Sequence, residues 1–531
     1  MSGFVPTSTA ELLDNAAAHF GDKPFIVDDG RSVSFSELAT DVQALARALV
    51  AEGFSSGDRA AIWAPNCAEW IIAALAIQYV GGTLVTVNTR YKASEARDII
   101  SDSGSSFAFV VDAFLGVEYA QSLARLNIDG LQHIITIKTP GTSGSDGISE
   151  WIETGTAAGD EVKALCAAQR ESVAAGDVSD ILFTSGTTGR AKGVVTTHGQ
   201  NLTAFSTFAD ILGLDADDRY LIINPFFHSF GYKAGWLAAL LKGAAVYPMA
   251  VFDVPAVLSA IKTHDITVMP GPPTLFQSIL MHPDLDPADI ATLKKATTGA
   301  AVIPTQLIVD MRHTLGIDTV ITAYGLSETC GLVTMCRQGD SPDVIAHTSG
   351  RAIPNIEVAI MDTEGRICDA DEPGEIVVRG YNVMVGYFNN PEATAETIDT
   401  DGWLHTGDIG YIDEDGFVYL VDRAKDMILR GGENVYGAEV ENAIFAHPAI
   451  LECVAFAVPD ERLGEEVGAA VHLKDGALLD APSLREHLAT RLAAFKIPKY
   501  IWFLAEPLPR NANGKFLKRE LKDVLDPSSA D

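Results

Sequence analysis

The sequence predicts an α/β fold built around mainly parallel sheets, and three observations support this prediction. Short apolar runs at 60–63, 84–87 and 107–111 are separated by stretches of helical character. Strands that alternate with helices along a chain form parallel sheets. From about residue 371 the chain becomes β-rich and punctuated by glycine, as in GEIVVRG and GFVYLVDR. Its 531 residues, 47% of them hydrophobic, suffice for two or more domains with their own cores.

The first long helix is predicted over residues 35–53. Its apolar residues recur at the three-to-four spacing of an amphipathic helix, and Ser36 is the candidate N-cap. The segment 70–87 is a long uncharged run that is broken by two glycines. A membrane-spanning helix needs about 20 consecutive apolar residues. We therefore interpret this segment as a buried helix followed by a buried strand. A polar surface loop is predicted over 138–149.

Charge and cysteine content argue against several classes of partner and site. Acidic residues outnumber basic residues by 71 to 38, and the resulting net charge of −33 repels a nucleic-acid backbone. The six cysteines form no CxxC pair, which argues against zinc or redox chemistry and favours a reducing cytosol. Residues 1–10 lack the pattern of a signal peptide. We expect a cytoplasmic protein without nucleic-acid or integral-membrane partners, and both a monomer and a homodimer are open.

A domain boundary is predicted near the segment 422–425. The large first domain, 1–423, carries most of the negative charge, and the small second domain, 424–531, contains a basic run over 491–522. That run has eight basic residues against two acidic ones. It is either a solvated helix face or a place where a polyanionic ligand binds.

The segment 181–195, ILFTSGTTGRAKGVV, has the composition of a phosphate-binding loop. An apolar strand candidate, 181–183, leads into a loop rich in glycine and hydroxyl side chains that also contains Lys192. Glycines let backbone N–H groups approach an anion closely, and the lysine adds a mobile positive charge. The spacing is not that of a Walker A motif, which argues against an ordinary P-loop NTPase.

The ten residues TSGTTGRAKG at 184–193 resemble the signature of the adenylate-forming superfamily of acyl-CoA synthetases, amino-acid adenylation domains and beetle luciferases. Further motifs follow in the order expected for that superfamily. They are PFFH at 225–228, TGAA at 298–301, YGLSE at 324–328, GEIVVRG at 374–380, WLHTGDIG at 403–410, DRAKDMI at 422–428, GGENVYGAEVE at 431–441 and PRNANGK at 509–515. The resemblance implies a large N-terminal domain of α/β layers with a small β-barrel-like subdomain, followed by a small, mobile α+β domain.

This resemblance implies a two-step reaction. A carboxylate attacks the α-phosphate of ATP to give an acyl-AMP and pyrophosphate, and a thiol then displaces AMP. Lys515 would bridge the substrate carboxylate and the α-phosphate, and Ser327 would donate to that phosphate. Glu328 would hold Mg²⁺, a hard cation that prefers oxygen ligands. The residues implied to bind the other phosphates are Thr184, Ser185, Gly186, Thr187, Thr188, Gly189 and Lys192.

The same resemblance assigns residues to the nucleoside. Asp408 would accept the two ribose hydroxyls, and Arg423 would assist at the ribose. Tyr324 would stack on the adenine ring. The residues implied to line the other side of the adenine are Gly299, Ala300 and Ala301.

The second step and the acyl site involve four further residues by resemblance. Lys425 would be the hinge about which the small domain rotates, while Gly431 and Gly432 would line a narrow tunnel for the pantetheine of coenzyme A. The basic run is consistent with binding the phospho-ADP part of coenzyme A. His228 would be a gate beside the acyl pocket, although a lone histidine after aromatic residues is more often a packed core residue.

Narrower similarities concern the acid. The segment FFHSFGYKAG lacks the aspartate that pairs with an α-amine in amino-acid adenylation domains. Three strings, NPFFHSFGYKAG, MPGPPT and TAYGLSE, resemble bacterial ligases of steroid catabolism that thioesterify a methylhexahydroindanedione propanoate. The resemblance places Phe230, Ala234 and Gly331 in the acyl pocket, with Lys233 either meeting a ring carbonyl or facing solvent. The alternatives are a medium-chain or alicyclic acid, and a non-catalytic adenylate-binding homologue.

Overall fold

The computed structural model describes residues 6–139, 147–184, 191–299, 303–423, 426–431, 433–460, 462–510 and 516–530. These residues form two large seven-stranded sheets, two small antiparallel sheets, a short hairpin and a C-terminal mixed sheet. Within the same ranges, no helix is both long enough and apolar enough to cross a membrane.

The first large sheet leads into the segments that carry two of the predicted nucleoside residues. In spatial order its strands are Thr319–Ile321, Lys295–Thr297, Val268–Pro270, Arg219–Ile222, Ala245–Pro248, Pro24–Asp28 and Arg31–Ser34. All neighbours run parallel except the last two, which form an antiparallel pair. Since the carboxyl ends of parallel strands lie at one edge of a sheet, the segments that follow the first two strands, with Gly299 and Tyr324, begin close together.

The second large sheet contains the predicted phosphate loop. In spatial order its strands are Gly386–Tyr387, Lys192–Thr197, Val178–Thr184, Thr83–Thr86, Arg59–Trp63, Phe107–Val111 and His133–Ile137. The last five are parallel, and the first two join them in antiparallel pairs. The phosphate loop therefore connects two hydrogen-bonded neighbours, and a strand from much later in the chain covers their outer edge.

The two small sheets form the β-barrel-like subdomain that the sequence predicts. One contains Ala323–Tyr324, Thr334–Met335 and Arg351–Ala352, and the other contains Ile356–Met361, Gly374–Gly380, Leu404–Ile412 and Val418–Arg423. A shared apolar cluster, with Tyr324, Val333, Ile360, Ile376, Val378 and Val418, joins them. Tyr324 is thus fixed in the cluster at the junction of the two sheets.

The C-terminal sheet has its own core. Its antiparallel strands are, in spatial order, Glu433–Val435, Ile428–Arg430, Gly464–Leu473 and Ile450–Asp460, and Tyr500–Phe503 pairs in parallel with Gly464–Leu473. Two apolar clusters pack on this sheet, and all their buried members follow residue 427. The apolar cores on either side of the predicted boundary are therefore separate among the described residues.

Helices connect these strands. The α-helices are Thr9–Phe20, Phe35–Ala51, Ala68–Tyr79, Ala93–Ser103, Tyr119–Ala124, Gly147–Thr156, Asp160–Ser172, His198–Leu212, Ser229–Gly231, Ala238–Lys242, Val254–His264, Pro273–Leu280, Thr305–His313, Pro342–His347, Pro391–Thr397, Gly437–Phe445, Ala481–Ala489 and Lys518–Val524. A π-helical turn spans Tyr232–Leu237, and 3₁₀ turns span Ser327–Thr329, Ala494–Lys496 and Pro527–Ser529. The hairpin pairs Ala113–Phe114 with Val117–Glu118.

The interpretation of the uncharged run 70–87 is confirmed, because it folds as most of the buried helix Ala68–Tyr79 followed by the buried strand Thr83–Thr86. The range predicted for the surface loop, 138–149, extends too far at its C-terminal end. Helix Gly147–Thr156 already begins there, and residues 140–146 lie outside the described residues.

The N-cap predicted for the first long helix is wrong by two residues. The helix is Phe35–Ala51, and its N-cap is Ser34, not Ser36. The hydroxyl of Ser34 accepts the N–H of Glu37 at 3.2 Å, and the Glu37 carboxylate accepts the N–H of Ser34 at 2.8 Å. This reciprocal pair is a capping box, which requires Glu or Gln three residues after the cap. Ser36 has no such partner, since Ala39 follows it at that spacing.

The buried His198 makes the stability of the fold depend on pH. Burial lowers the pKa of His198 to about 4, and its Nδ1 lies 2.8 Å from the hydroxyl of Thr9. An unfolded histidine titrates near pH 6.5, so between about pH 6.5 and 4 the unfolded chain binds the proton and the folded chain does not. We therefore expect His198 to lower the free energy of unfolding by up to roughly 3 kcal/mol as the pH falls to about 4.

Urea unfolding of the wild type and His198→Asn at several pH values tests this expectation. The variant should lose less stability than the wild type over this pH range. His347→Asn, at a histidine with a 57% exposed side chain, should follow the wild type. Parallel pH profiles for the wild type and His198→Asn would contradict the assignment.

Candidate active site

Two antiparallel strands hold the ends of the predicted phosphate loop. Val178–Thr184 enters the loop and Lys192–Thr197 leaves it, with Thr184 opposite Lys192 in the register. The hydroxyl of Thr184 donates to the carbonyl oxygen of Lys192 at 3.4 Å. These two residues therefore lie side by side. The other loop residues assigned to phosphate, Ser185, Gly186, Thr187, Thr188 and Gly189, lie outside the described residues.

Glu328 lies with Ser327 in a 3₁₀ turn, and both side chains are half-buried. The carbonyl oxygen of Glu328 accepts the N–H of Met384 at 2.8 Å, which fixes the backbone of the turn. The carboxylate Oε1 accepts a hydrogen bond from the hydroxyl of Tyr387 at 2.8 Å. Both the backbone and the side chain of Glu328 are thus held by the segment 384–387.

Tyr387 connects Glu328 with Lys192. The ammonium nitrogen of Lys192 lies 4.7 Å from the centroid of the Tyr387 ring, a cation–π distance. Tyr387 is opposite Val194 in the sheet, and its backbone N–H donates to the hydroxyl of Thr394 at 2.9 Å. Burial, followed by the charge of Glu328, raises the pKa of the Tyr387 hydroxyl. The hydroxyl therefore stays protonated and donates to the carboxylate.

Tyr324 and Asp408, both assigned to the nucleoside, are in direct contact. The hydroxyl of Tyr324 donates to Oδ2 of Asp408 at 2.7 Å, and both residues are buried. The backbone of Asp408 pairs with that of Arg423 in the four-stranded sheet. Gly299 follows strand Lys295–Thr297, whereas Ala300 and Ala301 lie outside the described residues. Those residues assigned to the nucleoside that the structure describes thus lie at the junction between the first large sheet and the barrel-like subdomain.

His228 caps the short helix Ser229–Gly231. Its Nδ1 accepts the N–H of Phe230 at 3.3 Å. Burial, reinforced by the positive charge of Lys233, lowers the pKa of His228 to about 4. The imidazole is therefore neutral at pH 7, which suits a packed gate and does not suit a cationic phosphate ligand. Phe230 is half-buried and lies edge-on to Phe208, with 6.4 Å between ring centroids.

Each residue assigned to the acyl pocket lies close to other parts of the large domain. Ala234 is buried in the π-helical turn, and its carbonyl oxygen accepts the hydroxyl of Tyr220 at 3.1 Å. Gly331 has φ +100°, and a Cβ there would lie 2.9 Å from the hydroxyl of Ser229. The absence of a side chain at Gly331 therefore allows its backbone to approach the segment that carries His228 and Ala234.

Lys233 is neither exposed nor available to a ring carbonyl in this arrangement. Its side chain is 1% exposed, and its ammonium nitrogen lies 3.0 Å from Oδ1 of Asp180, a residue that is fully buried. It also donates to the hydroxyl of Thr196 at 2.9 Å. The expectation of a solvent-facing lysine is wrong. A buried ammonium requires a paired carboxylate, and Asp180 lies on the strand that leads into the phosphate loop.

The structure describes only one of the residues assigned to the small domain. Lys425, Gly432 and Lys515 lie outside the described residues. The N–H of Gly431 donates to the carbonyl oxygen of Leu463 at 2.9 Å, which is a contact within the C-terminal region.

The residues that flank Lys515 are anchored. Arg510 and Phe516 form an antiparallel bridge, so these two residues lie side by side. The guanidinium of Arg510 stacks 3.8 Å from the ring centroid of Phe516 and pairs with Glu452 at 3.0 Å.

The basic run over 491–522 is not an uncompensated cationic surface. Among the side chains that the structure describes, four basic ones in this run form ion pairs with carboxylates from elsewhere in the C-terminal region. The pairs are Lys496–Glu439, Lys499–Asp460, Arg510–Glu452 and Lys518–Glu441, with N–O distances of 2.6 to 3.0 Å. The charge counted in the sequence therefore overstates the attraction for an anion such as coenzyme A.

Family comparisons match most of the chain. The family described as AMP-binding enzyme matches residues 13–388, and the AMP-binding enzyme C-terminal domain matches residues 439–515. The chain belongs to the AMP-binding enzyme family. This membership confirms the adenylate-forming resemblance and, with the relatives below, makes the chain an AMP-forming acyl-CoA ligase that uses ATP and coenzyme A as co-substrates.

Three similar proteins cover almost the whole chain. A 3-[(3aS,4S,7aS)-7a-methyl-1,5-dioxo-octahydro-1H-inden-4-yl]propanoyl:CoA ligase of Rhodococcus jostii is 44% identical over 98% of this chain and 99% of its own length. A ligase of the same name from Mycobacterium tuberculosis is 44% identical over 96% and 98%, respectively. The structure of o-succinylbenzoate CoA synthetase from Bacillus subtilis with its acyl-adenylate intermediate has a TM-score of 0.81 and 30% identity, over 97% of this chain and 98% of that one.

The donor set of this AMP-binding enzyme fits a metal that arrives with its nucleotide. Among the described residues, no group of three or more His, Cys, Asp or Glu side chains is arranged to hold a metal ion. Mg²⁺ bound with a nucleotide uses one or two carboxylates, substrate phosphates and water. The carboxylate of Glu328, close to the ends of the phosphate loop, matches this requirement.

Two residues of this AMP-binding enzyme's site were missed at the level of sequence. Tyr387 contacts Lys192 and Glu328 although it lies 59 residues from Glu328, so neither motif contains it. Asp180 pairs with Lys233 from just outside the phosphate-loop motif. The one available signal was the acidic residue in the otherwise apolar run VSDILF, because a buried charge requires a partner.

Proposed function

We propose that this ligase activates a bicyclic propanoate of the kind named in its two 44% identical relatives, a 7a-methyl-1,5-dioxo-octahydroindenyl propanoate. The observation that carries the proposal is their 44% identity over nearly the whole chain. The residue types at two of the assigned acyl positions agree with it, because Ala234 and Gly331 have small or no side chains, as a fused-ring acid would require.

We propose the following roles for the site residues. Thr184 and Lys192, with the loop between them, bind the β- and γ-phosphates. Tyr324 and Asp408 bind adenine and ribose. The hydrogen bond between their side chains supports this assignment, because it orients the buried carboxylate before the ribose arrives. Lys515 bridges the substrate carboxylate and the α-phosphate, where it stabilises charge that develops in the transition state.

The remaining assigned residues complete the site. Ser327 donates to the α-phosphate from the turn that also carries Glu328. The neutral His228 acts as the gate of the acyl pocket. Arg423 assists at the ribose, and Gly299, Ala300 and Ala301 line the adenine. Mg²⁺ would be held by Glu328 and would compensate phosphate charge. All other contacts with the nucleotide come from the chain itself.

We propose a two-domain organisation, with a large domain over 1–423 and a small domain over 424–531 that rotates about Lys425. The separate apolar cores support this division. Polar contact joins the two parts at the boundary, where the Asp422 carboxylate accepts the N–H of Gly437. Rotation would replace Lys515 with the face that carries Gly431 and Gly432 and so prepare the site for coenzyme A.

A cytoplasmic location fits the cysteines. All six are free thiols, and five of them are buried. Thiols persist in the reducing environment of the cytosol.

A comparison of acids tests the proposed substrate. Purified protein is incubated with ATP, Mg²⁺ and coenzyme A, and with the bicyclic propanoate, octanoate or palmitate in parallel. Acyl-CoA is detected by mass spectrometry, and pyrophosphate release is followed separately. We expect the bicyclic acid to be converted with the highest kcat/KM. A preference for octanoate would contradict the proposed substrate but leave the ligase assignment intact. If no acid led to pyrophosphate release, a non-catalytic adenylate-binding protein would be favoured.

Gly331→Ala sharpens this test, because the new methyl group would approach Ser229 to 2.9 Å and Phe205 to 3.5 Å. We expect a larger loss of kcat/KM for the bicyclic acid than for octanoate. Gly316→Ala is the matched control, since Gly316 also has a positive φ, +70°, but a Cβ there meets nothing within 4 Å. Equal losses for both acids would contradict the placement of Gly331 in the acyl pocket.

A further inference from the structure

We propose that Tyr387 is a positioning residue that keeps Lys192 and Glu328 apart and oriented for a nucleotide that arrives with its metal. The inference rests on the proposed function, in which these two residues meet phosphate and Mg²⁺. Tyr387 does not itself contact the reacting atoms. Its ring supports the ammonium of Lys192 at 4.7 Å, and its hydroxyl holds Oε1 of Glu328 at 2.8 Å.

The first step of the argument concerns the two charges. An ammonium and a carboxylate that face the same partly buried space attract each other and form an ion pair unless something separates them. Lys192 and Glu328 do not form such a pair in the described structure, although each contacts a different part of the same tyrosine. Tyr387 therefore acts as a spacer. Without it, an incoming nucleotide would first have to break a Lys192–Glu328 pair.

The second step concerns rigidity, because a spacer works only if its own position is fixed. Strand Gly386–Tyr387 pairs with the strand that begins at Lys192, and the N–H of Phe388 donates to the carbonyl oxygen of Gly193 at 2.7 Å. On the other side, the N–H of Met384 donates to the carbonyl oxygen of Glu328 at 2.8 Å. Tyr387 is thus anchored through the backbone to both residues that it separates.

The third step concerns the second carboxylate oxygen of Glu328. Oε1 of Glu328 accepts the Tyr387 hydroxyl, while Oε2 accepts no hydrogen bond from any residue in the described ranges. A carboxylate held through one oxygen keeps its other oxygen for a cation or a water of its hydration shell.

Two variants separate the functions of the ring and the hydroxyl. Tyr387→Phe keeps the ring under Lys192 and removes the donor to Glu328. Tyr387→Leu removes both. ATP binding is measured by titration calorimetry without acid, first in EDTA and then at increasing Mg²⁺.

For Tyr387→Phe, we expect roughly a tenfold higher Mg²⁺ concentration at half-maximal ATP binding, and unchanged binding in EDTA. For Tyr387→Leu, we expect the same change, and ATP binding in EDTA should also weaken roughly threefold. In EDTA, only Tyr387→Leu should therefore bind ATP more weakly than the wild type. A general loss of affinity would instead weaken ATP binding in both variants.

Tyr419→Phe is the matched control, because the Tyr419 hydroxyl likewise donates to a carboxylate, that of Asp413 at 3.2 Å, while its ring stacks on Tyr411 in the barrel-like subdomain. It should bind ATP as the wild type does at every Mg²⁺ concentration. A double-mutant cycle with Glu328→Gln provides a further check. Tyr387→Phe should have little additional effect in that background, since the two changes remove the same interaction.

A second readout separates positioning from folding. The reaction of presynthesised acyl-AMP with coenzyme A needs neither the β- and γ-phosphates nor their metal, so both Tyr387 variants should carry it out at nearly the wild-type rate. Wild-type Mg²⁺ dependence in Tyr387→Phe, or equal loss of both half-reactions, would overturn the role of Tyr387 and leave the ligase assignment intact. A wild-type protein that binds no ATP would overturn both.

Discussion

Lys233→Met is expected to lower the free energy of unfolding by about 3–5 kcal/mol, because it leaves a buried carboxylate without its counter-charge. Lys233 and Asp180 have side-chain exposures of 1% and 0%, and their charged atoms are 3.0 Å apart. Removing one member of a buried pair costs more than the pair contributes, since the remaining charge is neither solvated nor compensated. The pair lies between the π-helical turn and the strand that enters the phosphate loop.

The neutral groups around Asp180 reduce this loss but do not replace the ammonium. Oδ1 of Asp180 accepts the hydroxyl of Thr196 at 2.8 Å, and Oδ2 accepts the amide of Asn201 at 2.6 Å and the hydroxyl of Ser179 at 2.5 Å. These hydrogen bonds orient the carboxylate and spread its charge. They carry no formal positive charge, so the carboxylate remains costly to bury.

Urea unfolding, followed by tryptophan fluorescence, measures the effect. The double variant Asp180→Asn/Lys233→Met should be more stable than Lys233→Met alone, because both charges are then removed. Lys262→Met is the matched control, since Lys262 pairs with Asp289 at 2.8 Å but its side chain is 63% exposed. It should hardly change the unfolding midpoint. An equally small effect of Lys233→Met would mean that the buried pair contributes little to the fold.

The parts of the site that are contiguous in sequence could be predicted from it. The strand that enters the phosphate loop, expected from 181–183, and the strands expected at 60–63, 84–87 and 107–111 follow from local composition and spacing. Local patterns determine such elements because hydrogen bonding and apolar periodicity act over a few residues. The motif resemblance then supplied the order of domains and the family.

The contacts between distant segments could not be predicted. Lys233 has no local signal for burial, since its partner Asp180 is 53 residues earlier in the chain and lies beside it only in the folded structure. Tyr387 reaches Glu328 only because strand Gly386–Tyr387 adds to the edge of that sheet. The N-cap error has another cause. Two serines lie within three residues, and only the Glu37 side chain selects between them.

Lys515→Ala is expected to reduce the rate of acyl-AMP formation by at least about 10²-fold, while the transfer from acyl-AMP to coenzyme A remains. The lysine would supply the positive charge that joins the substrate carboxylate to the α-phosphate, and this charge is needed only in the first step. The described residues on either side of Lys515 are held in place, since Arg510 and Phe516 form a bridge and Arg510 pairs with Glu452.

Separate assays of the two half-reactions decide this prediction. Acyl-AMP formation is followed by pyrophosphate release without coenzyme A, and thioester formation starts from presynthesised acyl-AMP. Lys522→Ala is the matched control, because Lys522 is an exposed lysine of the same basic run, on helix Lys518–Val524. It should leave both rates near wild type. If Lys515→Ala slowed both half-reactions equally, Lys515 would act in binding or folding, since a bridge made in the first transition state cannot affect the second.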